Sequence, residues 1–107
     1  MSDIRLNDAE SVRDTMTRLF ITKVNNAIND LIIETKECMS SKKEFEYNPN
    51  IVLGSVRSAN ANETIDATTY KYFTNVLQKI IDIRCSYKNQ PACVVQKMFN
   101  DLDNMIK

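Results

Sequence analysis

A serine and a lysine near residue 40 have the spacing best suited to chemistry. Ser40 and Lys43 match the S-x-x-K pattern in which, in some serine acyl-transfer enzymes, the lysine takes the proton of the serine nucleophile. Those enzymes carry companion motifs, and none of them occurs in this chain. The chain also lacks histidine, the commonest general base. We therefore predict no catalytic residue and do not expect an enzyme.

Three cysteines could bind zinc or form a disulfide. Cys38, Cys85 and Cys93 lie far apart and lack the paired C-x-x-C spacing of structural zinc sites. Their number is odd, and a chain of 107 residues can fold without a disulfide. We expect reduced cysteines, no bound metal and an intracellular protein, located in the cytoplasm of its own cell or of a host cell.

Phosphate-binding and acid–base motifs are also missing. Gly54 is the only glycine, so no glycine-rich phosphate-binding loop can form. Two carboxylate pairs, Asp30 with Glu34 and Asp101 with Asp103, fit the solvated faces of helices. The sequence therefore predicts no cofactor.

The charge balance argues against an electrostatic partner. The chain has 14 basic and 14 acidic residues, whereas proteins that bind nucleic acids or anionic membranes usually carry a basic excess. Two chains could still assemble a basic groove across a dimer face, so binding to the backbone of duplex RNA or DNA is an alternative that we do not favour. No apolar run approaches the roughly 20 residues of a membrane span, and the N-terminus lacks the apolar segment of a signal peptide, so we expect no membrane association.

The shortage of turn residues and the hydrophobic periodicity predict a mainly α fold. One glycine and two prolines favour helices with few connections over a β fold. We predict one helical domain over residues 1–107, built from three antiparallel helices at residues 7–43, at residues 64–88 and from Pro91 onward. Asn7 and Glu10 form a capping-box pattern at the start of the first helix. The second helix has the widest apolar stripe, and we expect it to be the most buried.

The long first helix carries two apolar faces. At 100° per residue, the apolar residues of Phe20–Met39 fill one arc of about 140°, and only Ile33 falls outside it. Val12, Met16 and Leu19 cluster roughly 120° away from that arc, a larger shift than supercoiling can produce. Either the helix is kinked between residues 19 and 26, or its first turns contact something other than the core. A straight helix of this length would also exceed the size of a compact domain.

The connection over residues 44–62 is too long to lack structure in a compact domain. Phe45 and Tyr47 alternate with glutamates, and a β-branched run follows at residues 51–53. One interpretation is a small β-hairpin between residues 43–47 and 51–55, which would need support from the helices or from a dimer partner. The other is an irregular loop whose apolar residues fill the core.

The remaining class of function is a protein–protein interaction module. We expect a small regulator, inhibitor or adaptor that binds a protein partner of unknown identity and forms a homodimer. Val12, Met16 and Leu19 are the predicted contact residues. The methionines of the apolar stripes suit either a core or an adaptable binding surface. The abundance of Asn, Ile and Lys, which have AT-rich codons, is compatible with a virus or phage.

Overall fold

A computed structural model describes the backbone of residues 2–106 and the side chains of residue 12 and residues 14–106. The described backbone contains four helices and no strand: α1 (Ser2–Ser41), α2 (Pro49–Ala61), α3 (Ala67–Ser86) and α4 (Ala92–Ile106). The mainly α prediction is confirmed. The predicted number of helices is wrong, because a helix occupies the connection where the sequence allowed a hairpin.

Helix α2 explains why the hairpin interpretation fails. Residues 43–47 are irregular, and residues 51–55 are helical. Asn48 is the N-cap of α2, and its side chain accepts a hydrogen bond from the backbone N–H of Asn50 at 2.9 Å. Pro49 follows in the first turn, where a missing N–H removes no helical hydrogen bond. The buried residues of α2 recur at helical spacing: Pro49, Val52, Leu53, Val56 and Ala59.

Helix α1 is one continuous helix of 40 residues, so of the two alternatives the break between residues 19 and 26 is not observed. It begins at Ser2, which places the predicted cap, Asn7, inside the helix. A helix of this length spans about 60 Å, whereas the 20 residues of α3 span about 30 Å. The structure measures 62 × 23 × 22 Å, so α1 sets its long dimension.

Helices α1 and α2 end in the same way. Lys42 and Glu63 follow them with φ angles of 58° and 59°, in the left-handed region that favours glycine. Beyond Glu63, the N–H of Thr64 donates to the carbonyl of Ala59 at 2.9 Å, which is the closing hydrogen bond of a Schellman motif. The chain therefore reverses direction without using its only glycine.

Helix α3 is the centre of the core, because it packs against α1, α2 and α4. Its buried side chains are Phe73, Val76, Leu77, Ile80 and Ile83. On α1 the buried apolar residues are Val24, Ile28, Leu31 and Cys38, with Phe20, Ile21, Ala27, Ile32 and Met39 packed against the core. These α1 residues form the arc predicted from the sequence. Core contacts on α1 thus begin about halfway along the helix.

Candidate interaction surface

The three predicted contact residues lie exposed on one face of α1. Val12, Met16 and Leu19 are 58%, 63% and 63% exposed. They are separated by four and three residues, so they are neighbours along the helix surface. Within the part of the chain that the structure describes, no other element buries them. Adjacent exposed apolar side chains are typical of binding surfaces, whereas single ones are common on any protein.

The apolar row lies where α1 leaves the body of the protein. The hydroxyl of Thr17 donates a hydrogen bond to the carbonyl of Thr64 at 2.9 Å and joins α1 to the end of α2. Phe20 is the first α1 residue that packs against the core. Val12 and Met16 precede these contacts, and Leu19 lies among them. The row therefore begins on the projecting part of α1 and ends at the body.

The same row continues along α1 at alternating steps of four and three residues. We call its members the α1 seam: Val12, Met16, Leu19, Lys23, Asn26, Asp30 and Ile33. All seven are exposed. Alternating steps of this kind match the a and d positions of a coiled coil, which are usually apolar; Val12, Met16, Leu19 and Ile33 are apolar, whereas Lys23, Asn26 and Asp30 are polar. Ile33, the one apolar residue outside the predicted core arc, is 54% exposed and belongs to this seam.

Helix α2 presents a further exposed apolar side chain. Ile51 is 66% exposed and lines a shallow depression of about 560 Å³ together with Phe20, Gly54 and Ser58. A Cβ atom at Gly54 would meet no other atom within 4 Å, so the surface there is open.

A second concave surface separates α1 from α4. Among the described residues, no Cα atom of α4 lies within 8 Å of one in α1, although packed helices have axes only about 8–10 Å apart. Two depressions of about 540 and 580 Å³ lie along this groove. Ile28 and Phe73 line one of them, but the chain already buries both side chains. Tyr72 and Ile106 also line that depression and are 36% and 37% exposed, less than any apolar residue of the seam.

A polar cluster surrounds Arg84 near the C-terminal end of α1. The side chain of Arg84 is 8% exposed, and its Nε donates to the hydroxyl of Thr35 at 2.8 Å. Its Nη1 donates to the carbonyl of Tyr47. The carboxylate of Glu34 lies 3.6 Å from Nη2 and accepts the backbone N–H groups of Glu46 and Tyr47, both at 3.0 Å. Helices α1 and α3 and the connection after α1 therefore meet at one ionic cluster.

The environment of this cluster indicates a structural role. Burial lowers the pKa of Arg84, while the carboxylate of Glu34 acts in the opposite direction, and an arginine remains charged throughout the physiological range. In the described residues, every buried side-chain nitrogen or oxygen has a hydrogen-bond partner. The cluster therefore offers no unpaired buried group to a ligand.

The residues considered for chemistry do not form a site. Ser40 and Lys43 are exposed at the end of α1. The three cysteines are free, with Cys38 buried and Cys85 and Cys93 exposed. Among the side chains that the structure describes, no group of His, Cys, Asp or Glu could hold a metal ion. None of the helices in residues 2–106 is long and apolar enough to cross a bilayer.

The methionines of the apolar stripes differ in burial. Met39, Met98 and Met105 pack against the core, whereas Met16 is exposed on the seam. The Arg84 cluster was not predicted. The one feature of the sequence that points to it is Thr35, a polar residue inside the apolar arc of α1. Thr35 is only 1% exposed.

Comparison with known proteins gives no functional assignment. No protein-family model matches the chain, and no curated protein or solved structure is significantly similar to it. Any assignment of function must therefore come from the surface of the molecule itself, and among the described side chains the seam carries four of the eight large apolar ones that are exposed.

Proposed function

We propose that this protein is a helical protein–protein interaction module that binds a protein partner along the α1 seam and forms a homodimer. The observation that supports this proposal is the exposure of Val12, Met16 and Leu19 on a helix that extends beyond the core. Covering the exposed part of each side chain would contribute roughly 1–2 kcal/mol. Such a module acts as a regulator, inhibitor or adaptor.

The length of α1 supports the same proposal. The core uses the half of α1 that begins at Phe20, and the first half contributes no buried apolar side chain among those described. Isolated helices of about 12–15 residues are marginal in water, because most helical stability in proteins comes from tertiary packing. A partner on the seam would supply that packing to the projecting turns.

The proposal is tested by the mass of the protein in solution. We expect light scattering at micromolar concentration to give twice the chain mass of 12.3 kDa. Met16→Asp and Leu19→Asp should each give the monomer mass, because a carboxylate on the seam would be buried without a partner. Val94→Asp is the matched control, since Val94 is an exposed apolar residue on α4, away from the seam.

Two results would count against the proposal. One is a monomer at micromolar concentration whose binding and stability are unchanged by aspartate at residues 12, 16 and 19. The other is a gel shift with duplex RNA or DNA that weakens steeply with salt in the absence of self-association, which would instead indicate a protein that binds the phosphate backbone.

A further inference from the structure

We propose that the partner on the α1 seam is a second copy of this chain in antiparallel orientation, with a two-fold axis between residues 17 and 18. This inference rests on the proposed function and adds the direction and register of the partner. In this register, each seam residue faces the partner residue for which the two residue numbers add up to 35. Met16 faces the partner's Leu19, Leu19 faces the partner's Met16, and Val12 faces the partner's Lys23.

The seam fits a second copy because its adjacent apolar residues, Val12, Met16 and Leu19, follow coiled-coil spacing. A helix with a and d positions packs best against another helix with the same repeat, and this chain supplies one. The core-facing arc of α1 lies on another side of the helix, so the seam is exposed along its whole length. A two-fold dimer, the commonest form of oligomer, then covers both seams equally.

Charge decides the direction of the two helices. Parallel pairing would place Lys23 against the partner's Lys23 and Asp30 against the partner's Asp30, and both like-charge contacts are unfavourable. Antiparallel pairing about residues 17 and 18 moves the two Lys23 positions 11 residues apart, which is about 16 Å along the helix. The aliphatic part of Lys23 can then cover the partner's Val12 while its ammonium group stays in water.

An acidic residue facing the apolar side chains disfavours sliding in one direction, and a shorter overlap disfavours sliding in the other. Sliding the partner by one heptad in one direction places Val12 against the partner's Asp30. A slide of two heptads in that direction places Leu19 against the partner's Asp30. Sliding it by one heptad in the other direction places Val12 against the partner's Met16, but it shortens the overlap from residues 2–33 to residues 2–26. Stable dimers bury about 800 Å² per partner, with roughly 20–30 residues on each side, which three apolar side chains alone do not supply.

Disulfide cross-linking can test this register directly. The background is the full chain with Cys85→Ser and Cys93→Ser, since these two cysteines are exposed, and with the buried Cys38 retained. Val12→Cys and Lys23→Cys are made separately, mixed and oxidised. We expect a disulfide-linked dimer in the mixture and none with either variant alone. Two copies of position 12 would lie about 16 Å apart, beyond the Cα separation of about 4.4–6.8 Å that a disulfide spans.

The control is Arg18→Cys mixed with Lys23→Cys, because Arg18 is exposed but off the seam; we expect no cross-link in that mixture. A cross-link in Val12→Cys alone would show parallel pairing and overturn the inference while leaving the proposed function intact. Cross-linking of Val12→Cys to Asp30→Cys in preference to Lys23→Cys would overturn the register. A monomer mass for the uncross-linked wild-type chain would overturn both the inference and the homodimer of the proposed function.

Discussion

Arg84 and Thr35 join α3 to α1 through a hydrogen bond of 2.8 Å at the edge of the hydrophobic core. The hydroxyl of Thr35 also donates to the carbonyl of Leu31 at 2.6 Å, so it has partners on both sides. Arg84 further donates to the carbonyl of Tyr47, and its guanidinium lies 4.5 Å from the centre of the Phe45 ring. One side chain thus fixes two helices and the irregular connection between α1 and α2.

Removing Arg84 should therefore destabilise the fold. We expect Arg84→Ala to lower the free energy of unfolding by about 3 kcal/mol, since it leaves buried acceptors without a donor. Arg84→Lys should lower the free energy of unfolding by a smaller amount. Lysine keeps the positive charge, but it cannot reproduce the planar set of donors. Urea denaturation followed by circular dichroism measures both. Arg57→Ala is the control for an exposed arginine, with an expected change within about 0.5 kcal/mol. Equal stability of the Ala variants at 57 and 84 would contradict the prediction.

Hydrophobic periodicity accounts for the parts of the fold that the sequence predicted. The arc of Phe20–Met39 and the wide stripe of α3 each extend over many turns, and only a helix places such residues on one side. Helix α2 was not predicted, because a short run such as Ile51–Leu53 fits a strand as well as a helix. Asn48 and Pro49 are equally ambiguous, since Asn-Pro occurs both in turns and at helix starts. The spacing of Val56 and Ala59 was the remaining signal for a helix.

The candidate site was predictable only in part, for a different reason. Val12, Met16 and Leu19 could be separated from the core by their angle on the helix, and their exposure agrees with that separation. The contact of Arg84 with Thr35 joins residues 49 positions apart in the chain. No local pattern specifies such a contact, because it depends on how α1 and α3 pack.

Replacing Glu63 by glycine should stabilise the protein. Its φ of 59° places a side chain in the left-handed region, which is unfavourable by about 1–2 kcal/mol for an ordinary residue, and glycine removes that strain. After allowing for the greater freedom of glycine in the unfolded chain, we expect Glu63→Gly to raise the free energy of unfolding by about 0.5–1 kcal/mol. Urea denaturation measures the gain. Glu63→Ala keeps the Cβ atom and should show no such gain, so equal effects of the two substitutions would refute the explanation.

Asp66 should make the stability of the protein depend on acid pH. It is the N-cap of α3, and the hydrogen bond from the backbone N–H of Thr69, at 2.7 Å, holds the pKa of Asp66 below its usual range; the Thr69 side chain adds to this effect. The stabilisation is complete above the ordinary aspartate pKa of about 3.9, and it is lost as the pH falls through the lower pKa of the folded state.

Asp66→Asn provides the comparison, because asparagine caps a helix about as well as aspartate but does not titrate. The difference in melting temperature between wild type and Asp66→Asn should be constant from neutral pH to about pH 5. Below about pH 4, the melting temperature of wild type should fall relative to that of Asp66→Asn. Thermal melts in a series of buffers measure this difference. A difference that stays constant down to pH 2 would contradict the assigned role of the carboxylate.

Pairing through the seam should make thermal stability depend on protein concentration. A dimer that forms only from folded chains is stabilised by mass action, so each tenfold increase in concentration should raise the melting temperature by a few degrees. Leu19→Asp should remove this dependence, because the aspartate would have to be buried against the partner's Met16. Val94→Asp should retain it, since Val94 lies on α4. Melts followed by circular dichroism from low micromolar to high micromolar protein distinguish the variants, and a wild-type melting temperature that is independent of concentration would rule out a dimer whose association is coupled to folding.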